Sequence, residues 1–389
     1  MSVRMRVLSS GIVQVAPIRI VQQLDLPYVL LLSALLLLPF QVIQVSIAQP
    51  IHLWLLAALA IFAVRGDLRI LTPAEIIGYL VFIYFALVMT FLQDFDRIKY
   101  QEQILKFAFI YPGFYLVGRW LGWSFRDRPL PLGYIFLFGL LAFEYLVQTL
   151  ALPVIYRANS FGQGALHGTF IERNWLALYF LLYSYTILLT QRGDRRFIPF
   201  FALNGMVMLL SGSKTAFVAC GLIYLIHAKT PLILKLIPAA IGAIAYMTVF
   251  SADFTGDMIA VRLEEERGLA LQASLELILQ NPLGYGLGFV ESHFSRTWLV
   301  IRGLGEGVNS VFAVPLDLMI IAGFGGLVFW MVLFLGLGTG AMAALLPIAA
   351  LSLLNPLHQA ESVYLFLGII VSLYRGNRSA VRRVSSKRA

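Results

Sequence analysis

Cysteine is nearly missing from these 389 residues. Cys220 is the only one, and it falls inside an apolar run, which excludes disulfides and cysteine-ligated metal. Charge is scarce too. Only 13% of residues are charged against 60% hydrophobic, with a mean hydropathy of +0.83, and this excludes an ordinary soluble domain in favour of a polytopic membrane protein. Acidic residues are outnumbered 20 to 29 by basic ones, for a net charge of +9. The basic residues are scattered between apolar runs, so they follow membrane topology and do not form a nucleic-acid surface. Residues 1–26 lack an apolar core ending in a cleavage site, so the first span is expected to insert the protein with no leader removed. Internal repeats and low-complexity segments are missing as well.

What is present is hydrocarbon in lengths fit for a bilayer. A span needs about 20 apolar residues to cross roughly 30 Å. That ruler predicts an all-α fold of about twelve transmembrane helices, at 27–47, 50–64, 74–92, 104–122, 132–150, 172–190, 197–211, 214–228, 231–250, 311–337, 339–354 and 361–375. The chain then divides into a cytoplasmic segment 1–26, helices over 27–250, a long outer loop 251–310, helices over 311–375 and a basic cytoplasmic tail 376–389. Most Lys and Arg fall in alternate connections when the N-terminus is inside, which puts the 151–171 and 251–310 loops outside. Arg157, Arg173, Lys214, Arg262 and Arg267 run against that bias on the outer surface, and forked, permanently charged Arg suits an anionic phosphate ligand.

Three outer segments carry candidate chemistry. The first runs from Arg157 through Gly168 and Glu172 to Arg173 and Asn174; its glycines let backbone N–H groups approach an anion, and the bland alternative is a loop that caps a helix. The second is the small hydroxyl-rich turn Ser211-Gly-Ser213-Lys214, with a snorkelling lysine as its alternative. The third is the long loop. Leu271, Leu275 and Ile278 are spaced as one face of an interfacial helix, Pro282 ends it, and Gly284, Gly286 and Gly288 are expected to form a mobile turn. Glu291, His293 and Glu306 are its candidate bases. Glu144 and Asp317 each lie about six residues inside a span, roughly 9 Å deep, either as functional groups or as ion-pair partners of outer arginines.

In order, these segments resemble the O-antigen ligase and Wzy-type polysaccharide polymerase superfamily over residues 150–335. Arg157 and Gly168 resemble its outer-loop Arg-x10-Gly motif. Ser213-Lys214 resembles its Ser-Arg turn, with Lys in place of Arg. The stretch from Arg267 to Asn281-Pro-Leu-Gly284-Tyr-Gly286 resembles its second arginine loop, and Asn309-Ser310 the segment that follows. The resemblance implies a metal-independent, inverting glycosyltransferase without cofactor, in the bacterial inner membrane with its site facing the periplasm. Its donor would be an oligosaccharide on undecaprenyl pyrophosphate, and its partners membrane lipids and a protein that sets chain length, with no nucleic acid. The pyrophosphate would meet Arg157, Arg173, Lys214, Arg262 and Arg267, supported by Gly168, Glu172, Asn174, Asn309, Asp317 and Glu144. Ligases of the family carry a His where this chain has Val308, which favours a polymerase; a ligase and a lipid-linked oligosaccharide flippase are the alternatives.

Overall fold

The computed structural model describes residues 25–386, apart from 42, 44–48, 67, 95–98, 127–129, 131–132, 152–164, 171–172, 192, 232, 234, 236–267, 298–310 and 312. Among the described residues every regular element is helical and no strand occurs, as the composition predicts. Among the described residues two helices are long and apolar enough, by length and composition, to cross a membrane, Pro73–Leu92 and Val314–Leu333; the other apolar helices there are shorter.

The first helices begin where short polar residues precede proline. α1 (Leu26–Leu37) is capped by Asp25, whose Oδ1 accepts from Tyr28 N at 3.1 Å. α2 (Pro50–Arg65) follows. α3 (Pro73–Leu92) opens on a capping box in which Thr72 and Glu75 exchange hydrogen bonds, with Pro73 at the position where no N–H is needed. α4 (Tyr100–Leu105) runs through a π-helical turn, Lys106–Ile110, into α5 (Tyr111–Ser124). α6 (Tyr134–Leu146) likewise ends in a π-helical turn, Val147–Ala151. α7 (Arg173–Thr190), α8 (Phe197–Ser211) and α9 (Lys214–His227) are separate helices, so the expected short spans 197–211 and 214–228 are two elements joined at Gly212-Ser213. α10 (Gly268–Gln280) and α11 (Phe289–Thr297) lie in the long loop, and α12 (Val314–Leu333), α13 (Met342–Ser352) and α14 (Glu361–Ser386) complete the order. The helix of α14 continues to Ser386, well into the segment expected to be a tail.

Two helix pairs organise the bundle, α5 with α14 and α3 with α12. In the first, a Cβ on Gly122 would lie 2.6 Å from Ile369 O, so the backbones touch. Small residues allow such approach where lipid offers no hydrophobic drive to associate. Beside this seam, Arg119 is fully buried with its Nε 3.0 Å from Glu75 Oε1, and it donates to Ile70 O and to Ser372 Oγ. Tyr115 Oη donates to the same Glu75 carboxylate. α7 is buried almost all round, as a central bundle helix must be.

α12 is broken. Ala322 and Gly323 leave helical geometry, with Gly323 at φ 53°. The carbonyls released there are taken up by the loop: Tyr285 N donates to Ile320 O at 2.7 Å and Gly286 N to Ile321 O at 2.9 Å. Leu287 N donates to Thr90 Oγ1 at 2.8 Å, and Gln93 Nε2 to Gly284 O at 3.2 Å. The 284–288 segment is therefore buried and pinned between α3 and α12, and the mobile turn expected from its glycines is corrected. Glycine is required there by close approach: a Cβ on Gly284 would sit 2.7 Å from Gly323 N, and one on Gly286 2.6 Å from Thr90 N. Buried irregular backbone survives only where other groups satisfy its hydrogen bonds, and here they do.

Candidate functional site

One end of the bundle gathers most of the described candidates. There the 165–170 segment folds down onto the π-helical end of α6. Gln148 Oε1 accepts from His167 N at 2.7 Å and Gly168 N at 2.9 Å, while its Nε2 donates to Ala165 O. Buried Glu144 accepts from Thr169 N at 2.6 Å and from Thr169 Oγ1 at 2.9 Å. The carboxylate thus serves as the floor of the loop, held among the described residues by Thr169. π-Helical turns are frequent at functional sites, and this one aims Gln148 sideways at the loop.

Leu166 N donates to Leu210 O at 2.8 Å, tying the same loop to the end of α8. Beyond it, Arg173 at the start of α7 reaches the Ser211-Gly-Ser213 turn, where a Cβ on Gly212 would lie 3.4 Å from the guanidinium. Lys214 begins α9 directly after this turn. Arg173 and Asn174 are exposed, so the cation faces solvent at the helix start. Two segments expected to meet an anion are therefore joined by the fold, with the basic residue of one against the backbone of the other.

Beside them lies a small, open cleft. Asn174, Ser213 and Asn355 are its polar groups, and Leu178, Leu181 and Leu351 are among its apolar walls. Arg173, exposed at the start of α7, adds a cation beside this mixed polar and apolar lining.

The connection 355–360 borders this cleft with Pro356 and Leu357 and buries the next residue, His358. His358 Nε2 stands 3.8 Å from Asp317 Oδ2, and Asp317 Oδ1 accepts from Val311 N at 2.9 Å. Burial pushes the His358 imidazole down to about 3, so a neutral ring faces the Asp317 carboxylate and the pair is no ion pair at neutral pH. Asp317 accordingly anchors the backbone at Val311, just after the long loop. Sequence reasoning missed His358, Thr169 and Gln148. The Asn355-Pro356 turn between two apolar runs is the signal that marks the histidine's surroundings.

Of the candidate bases, Glu291 on α11 is buried, and burial raises its carboxyl to about 7. Lys106 and Lys99 oppose that rise and Glu102 adds to it, so these charges lie around it. His293 is half-buried and stacks on Phe289 at 5.1 Å, with burial lowering its pKa. Arg157, Glu172, Arg262, Arg267, Glu306 and Asn309 lie outside the described residues, as does the side chain of Lys214. Ile278 shares the helix side of Leu271 and Leu275 but sits at its inner edge, 9% exposed and packed into the core, so the expected interfacial face is carried by the two leucines. Among the described residues no group of His, Cys, Asp and Glu is arranged to hold a metal. No family model matches this chain and no curated protein matches it.

Proposed function

We propose that this chain is an integral membrane glycosyltransferase that polymerises lipid-linked polysaccharide repeat units. In this reading about twelve spans put the cleft at the periplasmic face of a bacterial inner membrane. The observation that carries the reading is the meeting of Arg173 with the Ser211–Ser213 turn beside a leucine-walled cleft. The leucine wall meets the start of the undecaprenol chain, and the polar groups beside Arg173 meet the pyrophosphate. Transfer breaks the bond between the donor sugar's anomeric carbon and the pyrophosphate oxygen, and it forms a bond to an acceptor hydroxyl oxygen on the opposite face. The leaving pyrophosphate gains negative charge as that bond breaks, so fixed cations stabilise the transition state more than the ground state. The acceptor's proton passes to a base. Glu291, with its carboxyl near 7, has the proton affinity such a base needs at neutral pH. The resemblance to Wzy-type polymerases supplies the substrate class.

Turnover tests this directly. The purified protein, given an undecaprenyl-pyrophosphate repeat unit without nucleotide or metal, makes longer lipid-linked glycan. Arg173→Ala and Lys214→Ala lower that rate by at least tenfold. Glycan joined to lipid A instead would mean a ligase. Substrate crossing a proteoliposome membrane without elongation would mean a flippase, and the assignment would fall.

A further inference from the structure

We propose that the leucine face of α10 is a lipid-binding surface that embeds in the acyl-chain boundary of the bilayer beside α3 and α12. This inference rests on the membrane reading above and adds a docking surface to it. Leu271, Leu275, Leu279 and Leu283 recur every fourth residue and are 48%, 46%, 82% and 46% exposed. Residues four apart stack on one side of a helix, so Leu271, Leu275 and Leu279 form a single ridge on α10, and Leu283 follows in the turn beyond its C-terminus. The adjoining side, with Ala270, Ser274, Leu277 and Ile278, is buried, and α10 packs against α12.

Two features identify lipid as the occupant. The first is continuity. Leu283 abuts Gly323, whose neighbour Phe324 is 60% exposed; Gly284 bonds to Gln93, whose neighbour Leu92 is 76% exposed. Phe324 and Leu92 belong to the two helices long and apolar enough to cross a membrane, so the ridge continues the surface they present to lipid. The second is charge. α10 contains no Lys or Arg, and its only ionisable side chain, Glu276, accepts from Gln272 along the polar flank of the ridge. Interfacial helices bind through buried apolar area together with attraction to anionic lipid, and only the apolar part is available to α10 itself. An apolar ridge of this length on an exposed helix marks an interaction surface.

Site-directed fluorescence in nanodiscs tests the proposal. In a Cys220→Ala background, Leu279→Cys, Leu275→Cys and Gln272→Cys are each labelled with an environment-sensitive dye, as is Phe91→Cys on α3. With phosphatidylcholine brominated along its acyl chains, labels at 279 and 275 are quenched and are shielded from aqueous iodide. The label at 272 shows greater iodide access. Exchanging a third of the lipid for phosphatidylglycerol leaves the quenching at 279 and 275 unchanged within twofold. Iodide access without bromolipid quenching at 279 and 275 would place the ridge in water and overturn the proposal. Shielding from both quenchers would mean that protein covers it, also overturning lipid as the occupant. Position 91 separates the two levels of failure. Quenching there without quenching at 279 and 275 rejects the α10 surface alone, whereas no bromolipid quenching at 91 rejects the membrane reading beneath it.

Discussion

Gly168 rests directly on the carboxylate of Glu144, at φ 56°, so close that a side-chain carbon on the glycine would collide with Oε2. The collision and the left-handed backbone act together. Gly168→Ala is expected to destabilise by about 2–4 kcal/mol, from αL strain and the steric displacement of Glu144. Glu144→Gln keeps an acceptor for Thr169 N and offers its amide to Thr169 Oγ1, so it stays within about 1 kcal/mol of the parent. Glu144→Ala leaves the buried Thr169 donors unpaired and loses about 2–3 kcal/mol. Thermal unfolding in detergent ranks the three. Similar losses for Gln and Ala would show that Thr169 needs the charge.

The break in α12 and the glycine turn depend on one another. Gly323→Ala drives a methyl into the 282–283 backbone, and Gly284→Ala into Gly323 and Ile321. Either change should withdraw the donors that satisfy Ile320 O and Ile321 O, a loss of about 2–5 kcal/mol. Hydrogen exchange gives a local readout: the amides of Tyr285, Gly286 and Leu287 lose protection while those of α5 keep theirs.

At the other end of the bundle, the Arg119–Glu75 pair predicts strong asymmetry between single and double substitutions. Arg119→Met strands a buried carboxylate, which costs about 3–5 kcal/mol. Combining it with Glu75→Gln removes the stranded charge, and the double variant is expected to be more stable than Arg119→Met alone. A double-mutant cycle on thermal midpoints measures the coupling.

Glu291 sets a pH dependence with a definite sign. Its carboxyl titrates near 7 in the folded protein against an ordinary value of 4.5, so the folded state holds the proton more tightly than the unfolded state. Stability contributed by this group is full below pH 4.5 and is lost as pH rises toward 7, by on the order of 3 kcal/mol. Glu291→Gln removes that slope. Unfolding midpoints at pH 5 and pH 7.5 should therefore converge in the variant, and an unchanged difference would show that Glu291 ionises freely.

Hydrophobic runs made the helices legible. The expected 50–64, 74–92, 172–190 and 197–211 match Pro50–Arg65, Pro73–Leu92, Arg173–Thr190 and Phe197–Ser211 to within a residue or so. The first span was overlong, because the apolar run continues past Leu37 through Pro39, where the helix has already ended. In the site, Arg173 and the 211–214 turn were both visible as residues working against the topology of charge. Their meeting was invisible, since it depends on how α7, α8 and α9 pack. Glycines at 284, 286 and 288 suggested motion because composition reports conformational freedom; contact with Thr90 and Ile321 removed it. Helical spacing placed Leu271 and Leu275 together, but it admitted Ile278 equally well at i+7. Only the position of α12 decides which side of α10 is inward.

The seam between α5 and α14 bears on how the chain is assembled in the cell. Arg119 and Ser372 are 253 residues apart, so the ribosome releases α5 long before its partner exists. Through that interval the glycine groove of α5 is uncovered, and Arg119 has its nearer partners, Glu75 and the carbonyl of Ile70. Docking of α14 closes the groove and supplies the missing hydroxyl in one step. α14 thus acts as a keystone, and a nascent chain stalled before it presents an arginine paired with Glu75 but short of one hydrogen bond, with the glycine groove of α5 uncovered.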